Sequence, residues 1–290
     1  MRPSPRRGRR SSSPASSPAS TRTTCPCATS RRATRAPSGC APRDRHSRPP
    51  VTSIGAGDAY ALSTPDDHRR LYARWAATYD EDFVERERYV YPRTVAAHVA
   101  VALGAPAPGA AAAPRTPTVV DVGCGTGALA ETLAHVRADA AIDGLDISPE
   151  MLAVARAKRR GDGAPLYRDL AVVDLTADRL DDRAGHYDVV TSVGTFTHGH
   201  LGPDVLARVA TLARPGGRLV IGINEAHFAA RGFAATVESL VAARVLEDAT
   251  TTRVRIYLGD SAPDAPATAS APSTHAADTA LVLVAVRSQP

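Results

Sequence analysis

Lysine, cysteine and aromatic residues are scarce in this sequence of 290 residues. Lys158 is the only lysine, so nearly every other cation is an arginine. Of the four cysteines, Cys124 alone lies beyond residue 50, where it can form no internal disulfide and is read as a small spacer. No metal-type spacing of cysteine and histidine occurs, so we expect no metal site. No apolar run reaches 18 residues, which excludes a predicted membrane span, and the cysteine usage favours a reducing, cytoplasmic location.

The positive net charge of the chain comes from its beginning. Residues 1–50 hold twelve arginines and one acid, Asp44, so they carry a charge of +11 although the whole chain carries only +5. The other 240 residues keep 23 of the 35 bases and 29 of the 30 acids, a net charge of −6. This mildly acidic body offers no basic surface for nucleic acid.

Residues 1–55 are rich in arginine, serine and proline and have no apolar periodicity, so we predict a disordered tail. The composition fits an organellar transit peptide, and Arg9-Arg10 fits a twin-arginine signal that lacks its apolar region. We favour a third interpretation, in which an early start codon adds this segment and the natural protein begins near Val51.

The stretch Thr118–Gly127 organises the rest of the chain. It reads as a short buried strand that stops on a glycine-rich turn, and a helical pattern follows at once. Gly123, Gly125 and Gly127 can take positive φ and let a ligand lie against bare backbone at a helix N-terminus. Asp121 stands where a carboxylate can face a cation or order the loop. The spacing Gly-x-Gly-x-Gly differs from the Gly-x-Gly-x-x-Gly fingerprint of dinucleotide binders.

Strands and helices alternate after this turn, which predicts an α/β fold with a parallel sheet and right-handed crossovers. The last two strand-like runs have no helix between them, so we expect them to pair antiparallel. The predicted strands are Val119–Val122, Ala141–Asp146, Leu166–Val173, Tyr187–Val193, Arg218–Ile223, Thr251–Leu258 and Thr279–Val286. The predicted helices between them cover 128–136, a segment after Pro149, 203–212 and 234–245. We divide the body into a core over residues 116–290, with a mobile loop at 259–278, and a preceding cap.

The cap is an N-terminal helical segment over residues 56–105. Pro65 begins one predicted helix with Thr64 as its N-cap, and Tyr91–Leu103 forms another. Five of the eight tyrosines and the only tryptophan fall between Tyr60 and Tyr91. Such a stripe is more often core than binding site, yet it also suits the wall of a substrate pocket.

Two carboxylates follow predicted strands at the edge where open α/β sheets bind ligands. Asp146 ends the second strand, nineteen residues after Gly127, where it can accept from ribose hydroxyls. The alternative is that Asp146 or Ser148 simply caps the next helix. Asp174 follows the third strand, and Asp169 is its rival because the end of that strand is ambiguous in sequence.

The segments Asp121–Gly127, Ile142–Leu152, Ser192–His200 and Tyr72–Asp80 resemble the class I S-adenosylmethionine-dependent methyltransferases. The resemblance covers roughly residues 68–258. Within this class, the chain is similar in detail to the methyltransferase-like 27 (Williams–Beuren region) proteins. It implies a doubly wound, Rossmann-like, seven-stranded sheet with an antiparallel final strand. It also implies S-adenosyl-L-methionine as the cofactor. The residues it places around that cofactor are Tyr79, Asp121, Gly123, Gly125, Gly127, Asp146, Ile147, Met151, Asp174, Leu175, Val193 and Gly194.

Within this interpretation Asp146 binds the ribose, Ile147 and Met151 lie beside the adenine, and Asp174 and Leu175 hydrogen-bond to it. The sequence thus predicts an enzyme that moves a methyl group to an O, N, S or C nucleophile on a small molecule. His198 and His200 are candidate general bases, or else a helix cap and loop filler. An NAD(P)-dependent oxidoreductase and a non-catalytic S-adenosylmethionine-binding protein remain as alternatives, and the acceptor and the oligomeric state stay open.

Overall fold

The computed structural model describes Ile54, Leu62 and residues 64–104, 115–258 and 278–289. The predicted tail (1–55) and mobile loop (259–278) lie almost wholly outside these residues, so both stay predictions, as does the division into cap and core. The helices are α1 Pro65–Trp75, α2 Tyr91–Leu103, α3 Ala128–Val136, α4 Pro149–Ala157, α5 Asp204–Ala210, α6 Glu225–Arg231 and α7 Phe233–Ala242. The strands are β1 Thr118–Val122, β2 Ala141–Asp146, β3 Asp169–Val172, β4 Tyr187–Phe196, β5 Ala213–Asn224, β6 Leu246–Arg255 and β7 Thr279–Arg287.

All seven strands join one sheet in the order β3-β2-β1-β4-β5-β7-β6. Strands β1 to β5 are parallel to their neighbours, whereas β7 is antiparallel to both β5 and β6. The prediction of a doubly wound seven-stranded sheet with an antiparallel final strand is confirmed. Strand order reverses between β1 and β4. The connections that leave the carboxyl ends of these two strands therefore run to opposite faces of the sheet, which opens a crevice in folds of this kind.

A hydrophobic core lies on each face of the sheet, because side chains alternate along every strand. Val119 belongs to one core, which α2, α3 and α4 cover. Val120 and Val122 belong to the other, which α5 and α7 cover. Since all three valines are fully buried, the sheet has no solvated face at β1, as expected for a central parallel strand.

Several predicted boundaries differ from those in the structure. The helix predicted near 234–245 is α7, which begins at Phe233 and ends at Ala242, whereas α6 before it was not predicted. Asn224 caps α6 through the His227 N–H, and Gly232 turns left-handed (φ +75°) between the two helices. Strand β6 begins at Leu246 instead of Thr251, and β3 covers only Asp169–Val172.

The first two helices have different surroundings. In α1, Pro65 stands at the first position and the Thr64 side chain accepts from the Asp67 N–H (3.2 Å), as predicted. A π-helical turn, Asp80–Glu85, follows. In α2, Val95 and Val99 are fully buried against the sheet and α3, so this helix is part of a covering layer. We therefore call only residues 64–90 the cap.

Candidate functional site

The glycine turn after β1 leaves one stretch of backbone open. Gly123, Gly125 and Gly127 all have positive φ (+69°, +53° and +96°). A Cβ on Gly123 would lie 2.1 Å from Thr195 Oγ1, and one on Gly127 would lie 3.0 Å from the Tyr167 ring. A Cβ on Gly125 would meet nothing within 4 Å, and this residue lines a cavity at the carboxyl ends of the strands. Gly123 also lines this cavity, but at Gly123 and Gly127 the missing side chain admits a neighbouring side chain, whereas Gly125 leaves open space over its backbone.

Asp146, at the end of β2, fastens this turn and also lines the cavity. Its Oδ2 accepts from the Gly125 N–H (2.8 Å) and its Oδ1 from the Ser148 N–H (2.9 Å). Ser148, in turn, caps α4 by accepting from the Met151 N–H. Burial raises the pKa of Asp146, although the N–H groups of Ser148 and Gly125 act in the opposite direction. The carboxylate is therefore held at the mouth of the cleft by backbone alone.

Asp121 and Gly127 do not line this cavity, in contrast to the direct contact that the sequence predicts. Asp121 shares the β1 face of Val119 and is fully buried, where its Oδ2 accepts from the Tyr167 hydroxyl (2.9 Å). Its Oδ1 has no hydrogen-bond partner among the described residues. Burial raises the pKa of Asp121 to about 7, and the hydroxyl of Tyr167 opposes the shift. Of the two predicted roles, ordering the loop fits this position better than facing a cation.

At the end of β3 the structure separates Asp174 from its rival. Asp174 lines the cavity, as does Leu175. Its Oδ1 accepts from Thr176 and its Oδ2 from Arg69 of the cap (3.2 Å). Burial would raise the pKa of Asp174, but these partners outweigh it and hold the pKa below its usual value. Asp169 opens β3, pairs with Arg183 and lies outside the cavity lining.

Six other predicted cofactor residues line the cavity, namely Tyr79, Gly123, Ile147, Met151, Val193 and Gly194. Gly194 has positive φ, and a Cβ there would lie 2.7 Å from the Tyr89 hydroxyl. The absence of a side chain at this position thus admits a tyrosine from the cap.

The two candidate bases differ in position. His200 lines the cavity, whereas His198 does not and its ring packs on His227 with centroids 5.3 Å apart. The Nδ1 of His200 lies 3.0 Å from the His198 carbonyl and its Nε2 lies 2.9 Å from the Tyr72 hydroxyl. Because a carbonyl only accepts, Nδ1 carries the hydrogen and the Tyr72 hydroxyl donates to Nε2.

Burial, reinforced by the nearby His68, lowers the pKa of His200 to about 4. His200 is therefore neutral at pH 7 but a weak base, which argues against a general-base role for it. His198 is disfavoured by its position outside the cavity lining. His68 was not predicted. It donates from Nε2 to the Gly199 carbonyl (2.7 Å), and its ring centroid lies 4.1 Å from that of His200. Its spacing of four residues before Tyr72 is the signal that would have placed it on the same helix face.

One side of the cavity is a cluster of aromatic rings, which we call the aromatic wall. Neighbouring rings meet mostly edge-on or tilted, as in Trp75–Tyr79 with centroids 4.9 Å apart at 74°. Tyr257 joins from the segment after β6 and was not predicted, since long-range backbone pairing with residues 88–91, including a bridge to Tyr89, brings it here. The wall consists of Tyr72, Trp75, Tyr79, Phe83, Tyr89, Tyr91 and Tyr257.

The cavity as a whole has a volume of about 390 Å³. The turn after β1 and the ends of β2 and β3 form one side, and the aromatic wall with the loop after β4 forms the other. Its described lining includes Asp146 and Asp174 but no arginine or lysine. Cys124 also lines it, and burial raises the pKa of this thiol well above its usual value, so it stays protonated at neutral pH.

Among the described residues, no group of three or more His, Cys, Asp or Glu side chains is arranged to hold a metal ion. No described helix has the length and apolar character that a bilayer crossing requires.

Comparison with known proteins identifies the kind of domain. Residues 119–217 match the family described as methyltransferase domain. A ubiquinone biosynthesis O-methyltransferase of Aeromonas salmonicida is 37% identical over 36% of this chain and 41% of its own length. Its counterpart in Xanthomonas axonopodis is 34% identical over 37% of this chain and 43% of its own. The chain thus spans about two fifths of the length of these curated relatives.

A solved structure extends the likeness in fold. Haemonchus contortus phosphoethanolamine N-methyltransferase 2, in complex with phosphomonomethylethanolamine and S-adenosylhomocysteine, matches with a TM-score of 0.50. The match covers 78% of this chain and 59% of that one at 14% identity, so it shows a common fold only. The chain therefore carries a class I methyltransferase domain, of the S-adenosylmethionine-dependent type. The narrower likeness to the methyltransferase-like 27 proteins is not addressed by these comparisons and stays a prediction.

Proposed function

We propose that this protein transfers a methyl group from S-adenosylmethionine to a small molecule. The observation that carries the proposal is one continuous cavity with two unlike sides. One side holds the bare backbone of Gly125 and the Asp146 carboxylate, and the other is the aromatic wall. A donor and an acceptor that meet in this cavity lie together, away from bulk water.

The residues on the donor side fit the cofactor. The open space over Gly125 is a cradle that any Cβ would fill, and the adjacent helix N-terminus adds a favourable dipole for its carboxylate. Asp146 would hold the ribose, and Asp174 with Leu175 the adenine, between the apolar side chains of Ile147 and Met151. When bound, S-adenosylmethionine supplies an electrophilic methyl group on a sulfonium that leaves as a thioether.

The chain's own contribution is positioning and exclusion of water. The aromatic rings keep the nucleophile's surroundings dry, which strengthens the electrostatic interactions in the cavity. Their faces also favour a neighbouring cation such as the sulfonium. His200 accepts a hydrogen bond from the Tyr72 hydroxyl. With a pKa of about 4, it is too weak a base to remove a proton from the methyl acceptor efficiently at neutral pH. We assign His200 the role of orienting the Tyr72 hydroxyl and not that of a general base.

A small acceptor agrees with the charge of the molecule and with its relatives. Residues 51–290 carry a net charge of −6, and no cation lines the described cavity, which disfavours nucleic acid. Two relatives are named for an O-methylation in ubiquinone biosynthesis. The family match over 119–217 covers the donor side but not the cap, so the acceptor is not carried over from them. We place the activity in the cytoplasm, as the cysteine usage predicts.

Calorimetry with S-adenosylhomocysteine tests the donor side. We expect saturable binding, and we expect Asp146→Ala to weaken it about ten- to a hundred-fold, because hydrogen bonds to a charged group are lost. Asp169→Ala is the matched control, since this exposed carboxylate pairs with Arg183 outside the cavity. Equal affinity in the two variants, or no binding to the wild type, contradicts the proposal. A thermal shift with NADH but not with S-adenosylhomocysteine would favour the oxidoreductase instead.

A labelled-methyl assay on a cell extract tests turnover. We expect Asp146→Ala to abolish transfer of label into a small-molecule fraction. A wild type that binds the cofactor but labels nothing would make the protein a non-catalytic binder.

A further inference from the structure

The acceptor side of the cavity has an unusual charge balance. The cap and the loop after β4 contribute aromatic rings, His68 and His200, and no arginine or lysine of the described chain lines the cavity. Arg69 of the cap directs its guanidinium to Asp66 and to Asp174 on the donor side. A phosphate or carboxylate on the acceptor would therefore lose its hydration without gaining a counterion, which costs several kcal/mol in an apolar site.

The two histidines do not supply that counterion at neutral pH. Burial is the main cause that lowers the pKa of both His68 and His200, so both rings are neutral. The Nε2 of His68 already donates to the Gly199 carbonyl, and the Nδ1 of His200 to the His198 carbonyl. Each ring therefore directs its one hydrogen at backbone and not into the cavity.

One polar group of the wall is oriented for a particular kind of ligand. The Tyr72 hydroxyl points its hydrogen at His200 Nε2, because that nitrogen is the acceptor of the pair. A phenol oxygen that donates in this way accepts well in return, since hydrogen bonds in a chain polarise one another. The carbonyl of His198 ends the chain and fixes its direction. A ligand O–H or N–H suits the Tyr72 oxygen, whereas a ligand carboxylate faces a second acceptor.

We infer that the acceptor is an uncharged aromatic molecule that stacks on the aromatic wall and donates an O–H or N–H to Tyr72, whose hydroxyl His200 orients. This assignment rests on the proposed function and names the acceptor class of the same cavity. In it, Tyr72 touches the acceptor and His200 is a positioning residue that acts through Tyr72.

Three small phenyl compounds test the assignment with the full chain and saturating S-adenosylhomocysteine. They are 4-methylphenol, 4-hydroxybenzoate, which replaces the methyl group by a carboxylate, and 4-methylanisole, which lacks the O–H. Ligand-observed NMR measures their affinities. We expect 4-methylphenol to bind at least tenfold more tightly than 4-hydroxybenzoate. Equal or tighter binding of the carboxylate, or no binding of 4-methylphenol, overturns the assignment.

Variants test the hydrogen-bond chain. Tyr72→Phe should lower the affinity for 4-methylphenol about three- to tenfold, the range for one neutral hydrogen bond, and leave the affinity for 4-methylanisole unchanged. His200→Leu should reproduce this loss, and His200→Gln should rescue it, because its amide oxygen can still accept from Tyr72. Tyr187→Phe is the matched control, since it removes a buried hydroxyl that bonds Asp143 in the other core. An equal effect of Tyr72→Phe on both ligands, or equal behaviour of the two His200 variants, refutes the chain.

The two levels of failure are distinguishable. If the wild type does not bind S-adenosylhomocysteine, the proposed function itself is wrong. If it binds the cofactor product and rejects the neutral phenol, only the acceptor class is wrong.

Discussion

Gly123 and Gly125, two glycines of the turn after β1, should differ in how alanine at each position affects stability and ligand binding. Both have positive φ, so each Gly→Ala change costs about 1–2 kcal/mol of backbone strain. On Gly123 the new Cβ also meets Thr195, at 2.1 Å from Oγ1 and 2.6 Å from Cγ2. Overpacking of this kind adds about 1–3 kcal/mol. We therefore expect Gly123→Ala to lower the free energy of unfolding by about 2–5 kcal/mol, and Gly125→Ala by about 1–2 kcal/mol.

Ligand binding should reverse the order. In the Gly125→Ala variant, the new Cβ projects into space that holds no protein atom within 4 Å, where the cofactor would lie. A methyl group in a tight contact costs about 1–3 kcal/mol, so the affinity for S-adenosylhomocysteine should fall about five- to 150-fold. Denaturant unfolding and calorimetry on the same two variants measure both quantities.

A double-mutant cycle isolates the steric part of the Gly123 effect. In a background of Thr195→Gly, the Gly123→Ala change should lose its clash and keep only its backbone strain, which gives a coupling energy of about 1–3 kcal/mol. If Gly125→Ala destabilises the fold as much as Gly123→Ala, or binds S-adenosylhomocysteine like the wild type, the division of roles between the two glycines is wrong.

Three other predictions concern charged groups. Lys158 bridges Asp80 of the cap (2.7 Å) and Glu131 of α3 (2.6 Å); Lys158→Met should cost at most about 1 kcal/mol of stability. It should also speed release of S-adenosylhomocysteine in stopped-flow measurements. Burial raises the pKa of Asp121 from 3.8 to about 7, so the folded state keeps a proton that the unfolded state loses between pH 4 and 7. The free energy of unfolding then falls as pH rises through that window, by at most about 1.4 kcal/mol per pH unit, and Asp121→Asn removes this slope. Burial lowers the pKa of His200 from 6.5 to about 4, so its contribution to stability is lost as pH falls from 6.5 to 4, and His200→Gln removes that loss.

The controls follow from the same groups. Lys158→Arg keeps a cation between the two carboxylates and should release the ligand like the wild type. The slopes of Asp121 and His200 oppose each other between pH 4 and 6.5. Relative to wild type, Asp121→Asn should thus lose more stability on acidification, whereas His200→Gln should lose less. Equal pH profiles for the wild type and both variants would contradict the assigned pKa shifts.

The parts of the fold that depend on local pattern were predictable from sequence. The buried run of β1, the turn at Gly123 and the N-caps Thr64 and Ser148 depend on neighbours within a few residues, and all appear in the structure. The antiparallel last strand was also predictable, because a connection without a helix cannot make a parallel crossover.

Features that the sequence does not reveal are those that distant segments decide. Alternation along β1 puts Asp121 on the same face as Val119, and this pattern indicates a buried side chain that lies away from the cavity. The sequence does not show that Tyr167 is its hydrogen-bond partner, because packing between distant segments decides that contact. Tyr257 reaches the aromatic wall through backbone pairing with residues 88–91, which includes a bridge to Tyr89, 168 positions earlier in the chain. The sequence does not distinguish His198 from His200. Only the fold places His200 beside Tyr72 and His198 beside His227.

The contacts of the cap bear on the order in which ligands exchange. Through Arg69 and Asp80 the cap is tied to Asp174 and to Thr126 at the donor side of the cavity, while its rings enclose the acceptor side. A movement that frees the acceptor side pulls on both ties, so the two halves of the cavity do not open independently. We expect steady-state kinetics in which the methylated product and S-adenosylhomocysteine leave in no fixed order, because one movement of the cap limits the release of both.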